Sequence, residues 1–157
     1  MSGKILYSEH NTDLDLNNQT KSYKYIQDII IPNLLIDDNK LLACIKYFKV
    51  TKNDKIKSTL DNLQKHQQDG IICLFGYGPH LQKLLSIIEL YKSKILQDKP
   101  FKQYNKLTSF DVVSQGRNEL LDKKVKVPIL ITFITVNEAF FKLDTFTNEK
   151  YGFTEQA

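Results

Sequence analysis

The sequence predicts an α/β (α+β) fold in which a helix precedes a domain with the element order β-α-β-α-β-β. Three observations lead to this prediction. The stretch 70–96 (GIICLFGYGPHLQKLLSIIELYKSKIL) reads as an apolar strand, a glycine turn and a long amphipathic helix. Two helical patterns and one strand-like run precede it, and two β-rich runs follow it. The strongest run, 125–136 (VKVPILITFITV), is apolar on both faces after Lys126.

The first 40 residues form an extension with one predicted helix. Residues 1 to about 20 are polar, and we expect them to be mobile or loosely docked. The segment 20–35 (TKSYKYIQDIIIPNLL) has its large apolar side chains at helical spacing, and Pro32 ends or kinks this helix.

The domain itself is predicted over residues 41–137 and begins with a strand at 41–50. Asn53 or Asp54 can cap the helix that follows, which ends near Gln68. The next strand, 71–75, is apolar throughout, as expected of a strand covered on both faces.

The glycine turn and the helix after it form the centre of the predicted domain. Gly76-Tyr77-Gly78 ends the strand, since glycine tolerates positive φ, and Pro79 suits the first helical position. One face of the helix carries Leu81, Leu84, Leu85, Ile88, Tyr91 and Ile95. Ile87 and Leu90 widen this face beyond what packing on one sheet needs. The extra width fits a deeply buried helix, a partner surface, or both.

Two strands and a tail complete the chain. A strand is predicted at 104–114 and another at 125–136, joined by a charged arm, and Pro128 indicates an edge or an irregularity. Aromatic residues recur in the tail, 138–157, which fits either a segment packed on the domain or a partner-binding tail.

Composition limits the class of protein. With 157 residues and 41% hydrophobic content, the chain is long enough for one domain with a substantial core. It has neither an apolar run of the ~20 residues that a membrane span needs nor a secretory signal pattern, so we expect an intracellular protein without a membrane partner. Cys44 and Cys73 lack the companions of a metal site, and both fall in predicted strands.

Motifs for nucleotide binding and catalysis are incomplete. Gly76 and Gly78 match the start of GxGxxG, but Leu81 occupies the third glycine position, and no Walker motif is present. His80 has no serine, cysteine or acidic partner nearby in the sequence. We therefore predict no enzyme active site and no cofactor.

Basic residues form two groups, which favours nucleic-acid binding. The net charge is +4. Either group could also be a solvated lysine surface. Tyr77 offers a ring for base stacking, and the start of the helix can attract phosphate. The predicted RNA-binding residues are Lys46, Lys49, Lys52, Lys55, Tyr77, Gly78, His80, Lys83, Arg117, Lys123, Lys124 and Lys126.

The order of elements and the central motif resemble the Alba-like family of nucleic-acid-binding proteins. Gly78 matches the turn glycine of that family, and Leu81 and Lys83 match an Ile and a Lys at its helix start. Tyr77 stands where a basic residue is usual, and Pro79 and His80 depart from the pattern. The motifs GYGPH, YNKLTSFD, GRNEL and KVPIL resemble more closely the smaller Alba-like subunit of yeast ribonuclease P and ribonuclease MRP.

This resemblance implies an Alba-like sandwich and a non-catalytic subunit in the nucleus and nucleolus. Such subunits form a heterodimer with a second Alba-like protein. The pair binds the catalytic RNA in tRNA 5′ maturation and pre-rRNA processing, alongside other holoenzyme proteins, and is also found on telomerase RNA. The wide helix face would then be the partner interface, with Leu84, Ile87, Ile88, Leu90 and Tyr91.

Two other classes remain open from the sequence. One is a self-sufficient, homodimeric Alba-like protein that binds chromatin or mRNA. The other is a small nucleotide-dependent enzyme, which the incomplete glycine motifs make the least favoured. Homodimer formation would favour the former, and nucleotide binding would favour the latter.

Overall fold

A single curved sheet organises the computed structural model, which describes residues 4–35, 42–115, 122–141 and 152–156. Its strands run in the order β2-β1-β5-β6-β4-β3, and β7 also pairs with β5. Only β3 and β4 are parallel among the described pairs. The strands are β1 (Lys4–Tyr7), β2 (His10–Asn11), β3 (Ile45–Lys49), β4 (Ile71–Tyr77), β5 (Lys102–Gln115), β6 (Asp122–Thr135) and β7 (Thr154–Gln156).

Among the described residues, three long helices cover the sheet. The first, α1, is α-helical at Gln19–Tyr25, π-helical at Ile26–Ile30 and α-helical again at Ile31–Leu34. The second, α2, is Ile56–His66. The third, α3, is α-helical at Leu81–Leu90 and π-helical at Tyr91–Leu96. Short 3₁₀ turns lie at Gly78–His80 and Glu138–Phe140.

This arrangement confirms the predicted order, an N-terminal helix followed by β3-α2-β4-α3-β5-β6. Among the described helices, none combines the length and the apolar character required to cross a membrane.

The sheet separates two hydrophobic cores, because alternate residues of a strand point to opposite faces. On one face, Ile71, Cys73 and Phe75 pack with α1 side chains such as Ile26. On the other, Ile72 and Leu74 pack with α2 and α3 side chains such as Leu63. All seven residues of β4 are buried, as predicted for a strand covered on both sides.

The N-terminal segment departs from the expectation that residues 1 to about 20 are mobile or loosely docked. Lys4, Ile5 and Leu6 pair with Val113, Val112 and Asp111 of β5, and Ile5 is buried. One inward-pointing isoleucine in a polar sequence gives little periodic signal, which is why the sequence does not predict this strand. Pro32 does not end α1, which changes to a π-helical turn just before it and continues to Leu34.

The β5–β6 hairpin is longer than predicted and extends beyond the ends of β3 and β4, while β1 accompanies β5 as far as Val113. The last β4–β6 pair is Tyr77 with Ile129, whereas the β5–β6 pairing continues to Gln115 and Asp122. Pro128 therefore has no β4 neighbour, which explains how a proline is accommodated in this strand. We call residues 108–115 and 122–128 the arm.

The C-terminal residues add a short edge strand to the base of the hairpin. In β7, Thr154 and Gln156 pair with Asn105 and Gln103. Lys102 Nζ lies 3.0 Å from Glu155 Oε1. The described part of the tail thus packs on the domain.

Candidate nucleic-acid interface

Three segments of the chain meet at the end of the sheet where β3 and β4 finish. They are the loop after β3, the glycine turn after β4, and the arm. We call this region the basic end and define it by six lysines whose side chains are exposed, apart from the half-buried Lys83. These lysines are Lys49, Lys52, Lys55, Lys83, Lys124 and Lys126.

The loop 50–55 is held in place by its own polar groups. The Asp54 carboxylate accepts hydrogen bonds from Thr51 N and Thr51 Oγ1, each at 2.9 Å. Asp54 N donates to Thr51 O at 3.1 Å. Asp54 thus closes the loop instead of capping α2, whose N-cap residue is Lys55.

Lys49 and Lys55 line one open cleft of about 450 Å³ beside the start of α2. Asn53, Ser58 and Thr59 contribute polar groups to the same cleft. Two lysines that are six positions apart in the sequence are therefore brought together by the turn of the chain.

Gly78 connects this loop region to the arm. Its φ of +52° is one that residues with a side chain rarely adopt, and a Cβ there would lie 3.1 Å from Val127 Cγ1. The turn therefore approaches the arm closely, one residue from Lys126. Lys83 follows in the first turn of α3.

The arm presents lysines on the face of the sheet that α3 covers. Lys124 and Lys126 are two residues apart, so they share a face. The exposed Lys124 forms an ion pair with the half-buried Asp111, with Nζ 3.5 Å from Oδ2. Lys123 pairs in register with Ser114, but its side chain lies outside the described residues. Arg117, another predicted RNA-binding residue, lies outside the described residues entirely.

Lys46 is exposed but lies near the start of β3, opposite Ile72, rather than at the basic end. The structure therefore separates Lys46 from Lys49, Lys52 and Lys55, which are its near neighbours in the sequence.

Two predicted contact residues are enclosed, which corrects their expected roles. Tyr77 is 2% exposed and its hydroxyl donates to Leu16 O at 2.9 Å, so its ring has no free face for a base. His80 is 5% exposed and its Nδ1 accepts a hydrogen bond from Lys52 N at 2.9 Å. Desolvation, followed by the charge of Lys52, lowers the pKa of His80. The local sequence does not indicate this burial, because it arises from α1, which packs on this face of the sheet.

The predicted partner face of α3 also needs correction. Leu84, Ile87, Ile88 and Tyr91 are buried in the second core of the chain itself, and Leu90 is half-buried. Tyr91 donates to Gln67 Oε1 at 2.8 Å, which identifies the flank of α3 that faces the end of α2. Of the two interpretations of the wide apolar face, the structure supports the deeply buried helix.

A different apolar surface is exposed beside α3. Leu107 is 69% exposed and faces Leu130 across the β5–β6 pair. Leu85 is 52% exposed and lies about 100° around α3 from the buried Leu84, on the flank turned away from the end of α2. The polar border of this apolar surface includes Asn105, whose Oδ1 accepts a hydrogen bond from Thr132 Oγ1 at 2.9 Å. The sequence does not predict the exposure of Leu107, because a single leucine among polar strand residues is expected to face the core.

Within the described ranges, no group of three or more His, Cys, Asp or Glu side chains is arranged to hold a metal ion. What the basic end offers a ligand is a set of lysine ammonium groups on fixed loops.

Comparisons with known proteins give one extensive sequence match. The chain is 37% identical over 161 residues to "Ribonucleases P/MRP protein subunit POP6" of Saccharomyces cerevisiae, covering 95% of this chain and all of that protein. No protein-family model matches. Among solved structures, Alba from Thermoplasma volcanium aligns with 57% of this chain and 99% of its own length, at 13% identity and a TM-score of 0.37.

Proposed function

The chain belongs to the family of the yeast Ribonucleases P/MRP protein subunit POP6, and from this premise we propose that it is an RNA-binding subunit of nuclear ribonuclease P and ribonuclease MRP. The observation that carries the proposal is the match over 95% of the chain, which includes the glycine turn and the arm. In this role the protein is non-catalytic and acts in tRNA 5′ maturation and pre-rRNA processing. It resides in the nucleus and nucleolus, and telomerase RNA is a further target.

The basic end supports the RNA-binding part of the proposal. Exposed lysines on three segments can each neutralise a phosphate and release its counterions, which makes binding dependent on salt. Fixed loops lower the entropy lost when several lysines engage one RNA backbone. Because Tyr77 is enclosed, phosphate contacts rather than base stacking dominate the contribution of these residues.

The apolar surface beside α3 supports the partner part of the proposal. We infer that Leu85, Leu107 and Leu130 contact a second Alba-like subunit in a heterodimer, in place of the buried residues predicted from the sequence. Leu85 on α3 and Leu107 on β5 are both more than half exposed to water. An interface that covers both would remove this apolar area from water, which favours association. On α3, Leu85 and Lys83 are two positions apart and therefore point in nearly opposite directions, so one complex can bury the apolar surface while leaving the basic end open to RNA.

A salt titration tests the RNA contact. The variant Lys49→Ala/Lys52→Ala/Lys55→Ala is compared with Lys65→Ala/Lys94→Ala/Lys99→Ala, whose exposed lysines lie toward the opposite end of the sheet. Binding to an RNA stem with an internal loop is measured across a salt series, with and without the second Alba-like subunit. The first variant should flatten the slope of log K against log salt by roughly 2–3, at about 0.7–0.9 per phosphate contact.

The control variant removes the same charge and should leave the slope nearly unchanged. Equal slopes for the two variants would contradict RNA binding at the basic end. Tight binding by this chain alone, as a homodimer, would favour the self-sufficient Alba-like alternative over a heterodimer.

A further inference from the structure

His80 is enclosed by aromatic rings directly behind the loop that carries Lys52. The centroid of its ring lies 5.1 Å from that of Tyr77 and 5.6 Å from that of Tyr23. Its Nδ1 is 2.9 Å from Lys52 N, so Nδ1 is the acceptor and the proton of the neutral ring is on Nε2. His80 thus connects the start of α3 with a peptide 28 positions earlier.

The same loop is held at two neighbouring residues. The Tyr23 hydroxyl donates to Val50 O, and Thr51 is bonded through both its amide and its hydroxyl to Asp54. These hydrogen bonds of Asp54 lie within the loop, whereas Tyr23 and His80 attach the loop to α1 and α3. Of these attachments, the bond from Lys52 lies nearest to the exposed lysine side chain.

We propose that His80 is a positioning residue for RNA binding: its neutral imidazole fixes the Lys52 peptide so that the loop lysines face the RNA backbone, and a proton on Nδ1 releases them. The proposal rests on the proposed function of the basic end. It assigns to His80 an indirect role in place of the direct RNA contact predicted from the sequence.

The groups around His80 determine when it takes up a proton. Burial and the Lys52 charge lower the pKa of His80 from 6.5, and Asp54 opposes them. Burial raises the pKa values of Tyr23 and Tyr77, so both hydroxyls stay neutral in this range. Because the pKa of His80 is lower in the folded chain than in the unfolded one, its contribution is present above pH 6.5 and is lost as the pH falls through the lower folded value.

Two substitutions separate the acceptor from the bulk of the ring. His80→Asn places a carboxamide oxygen near the position of Nδ1 and keeps an acceptor that does not titrate. His80→Leu fills a similar space and accepts nothing. The measurements use the full chain across a pH series from about 7.5 down to about 4.5. They are the hydrogen-exchange protection factor of the Lys52 amide without RNA, and the affinity for an RNA stem with an internal loop in the presence of the second Alba-like subunit.

The expected result has three parts. His80→Leu lowers the protection of the Lys52 amide roughly tenfold. The same change weakens RNA binding roughly three- to tenfold, through the renewed freedom of the loop, while His80→Asn restores both within about twofold. Acidification lowers protection and affinity in the native chain but not in His80→Asn. Protonation alone adds positive charge, which would strengthen RNA binding, so a fall in affinity reports release of the loop.

The proposal is overturned if His80→Leu keeps native protection and affinity, or if His80→Asn follows the native pH profile. Should His80→Leu fail to fold, the comparison of the native chain with His80→Asn across pH decides the question. Absence of RNA binding by the native chain in the presence of the second Alba-like subunit would refute the proposed function, whereas the protection of the Lys52 amide would still test the role of His80.

Discussion

Replacing the exposed leucines beside α3 is predicted to separate partner binding from folding. Leu107 is 69% exposed and Leu85 is 52% exposed, so each still has apolar area to bury. Fully burying a leucine contributes about 1.5–3 kcal/mol, which leaves about 1–2 kcal/mol for Leu107 and about 0.8–1.6 kcal/mol for Leu85. The variant Leu85→Ala/Leu107→Ala should therefore weaken the heterodimer by about 2–3.5 kcal/mol, or roughly 20- to 400-fold in Kd.

The assay is titration calorimetry of the chain with the second Alba-like subunit. Ile29→Ala is the matched control, because Ile29 is 44% exposed on α1, which covers the opposite face of the sheet. The stability of the isolated double variant should change by less than about 1 kcal/mol, since neither leucine is in the core. An unchanged Kd for the double variant, or an equal loss with Ile29→Ala, would refute the proposed partner surface.

Three further predictions concern the folded chain alone. Gly78→Ala should lower the free energy of unfolding in urea by about 1–2 kcal/mol, because φ is +52° and a Cβ would lie 3.1 Å from Val127 Cγ1; an unchanged midpoint would contradict the positive φ. Tyr91→Phe should cost about 1–3 kcal/mol in the same assay, since it leaves the buried Gln67 Oε1 without its 2.8 Å donor. Burial raises the pKa of Tyr47 from 10.0 to about 12, so stability should be full below pH 10 and decline toward pH 12. In thermal melts at about pH 11, Tyr47→Phe should lose less stability than the native chain, and an equal loss would count against this burial.

The continuous apolar runs of the sequence predicted their strands correctly. Residues 71–75 and 125–136 are apolar runs bounded by turn residues, and both are strands. The glycine turn was predicted because Gly78, followed by Pro79, suits few other structures. The sequence does not predict β1, because this strand has a single buried isoleucine and is defined by its pairing with the distant β5.

Exposure of the candidate site residues was harder to predict than their positions. Tyr77 and His80 lie at the predicted turn, but α1 and the loop 50–55 enclose them. Nothing in the local sequence indicates that a helix some 55 residues earlier packs there. Packing of α3 against the sheet and α2 buries the predicted partner face, and Leu107 remains in solvent.

The most direct test of the central claim is to purify the tagged full chain from its own cells and sequence the RNA that accompanies it. A subunit of ribonuclease P and ribonuclease MRP should enrich the RNA components of both enzymes, and the Lys49→Ala/Lys52→Ala/Lys55→Ala variant should enrich them less than Lys65→Ala/Lys94→Ala/Lys99→Ala. Recovery of neither RNA with the native chain, at salt concentrations that preserve the complexes, would contradict the proposed function.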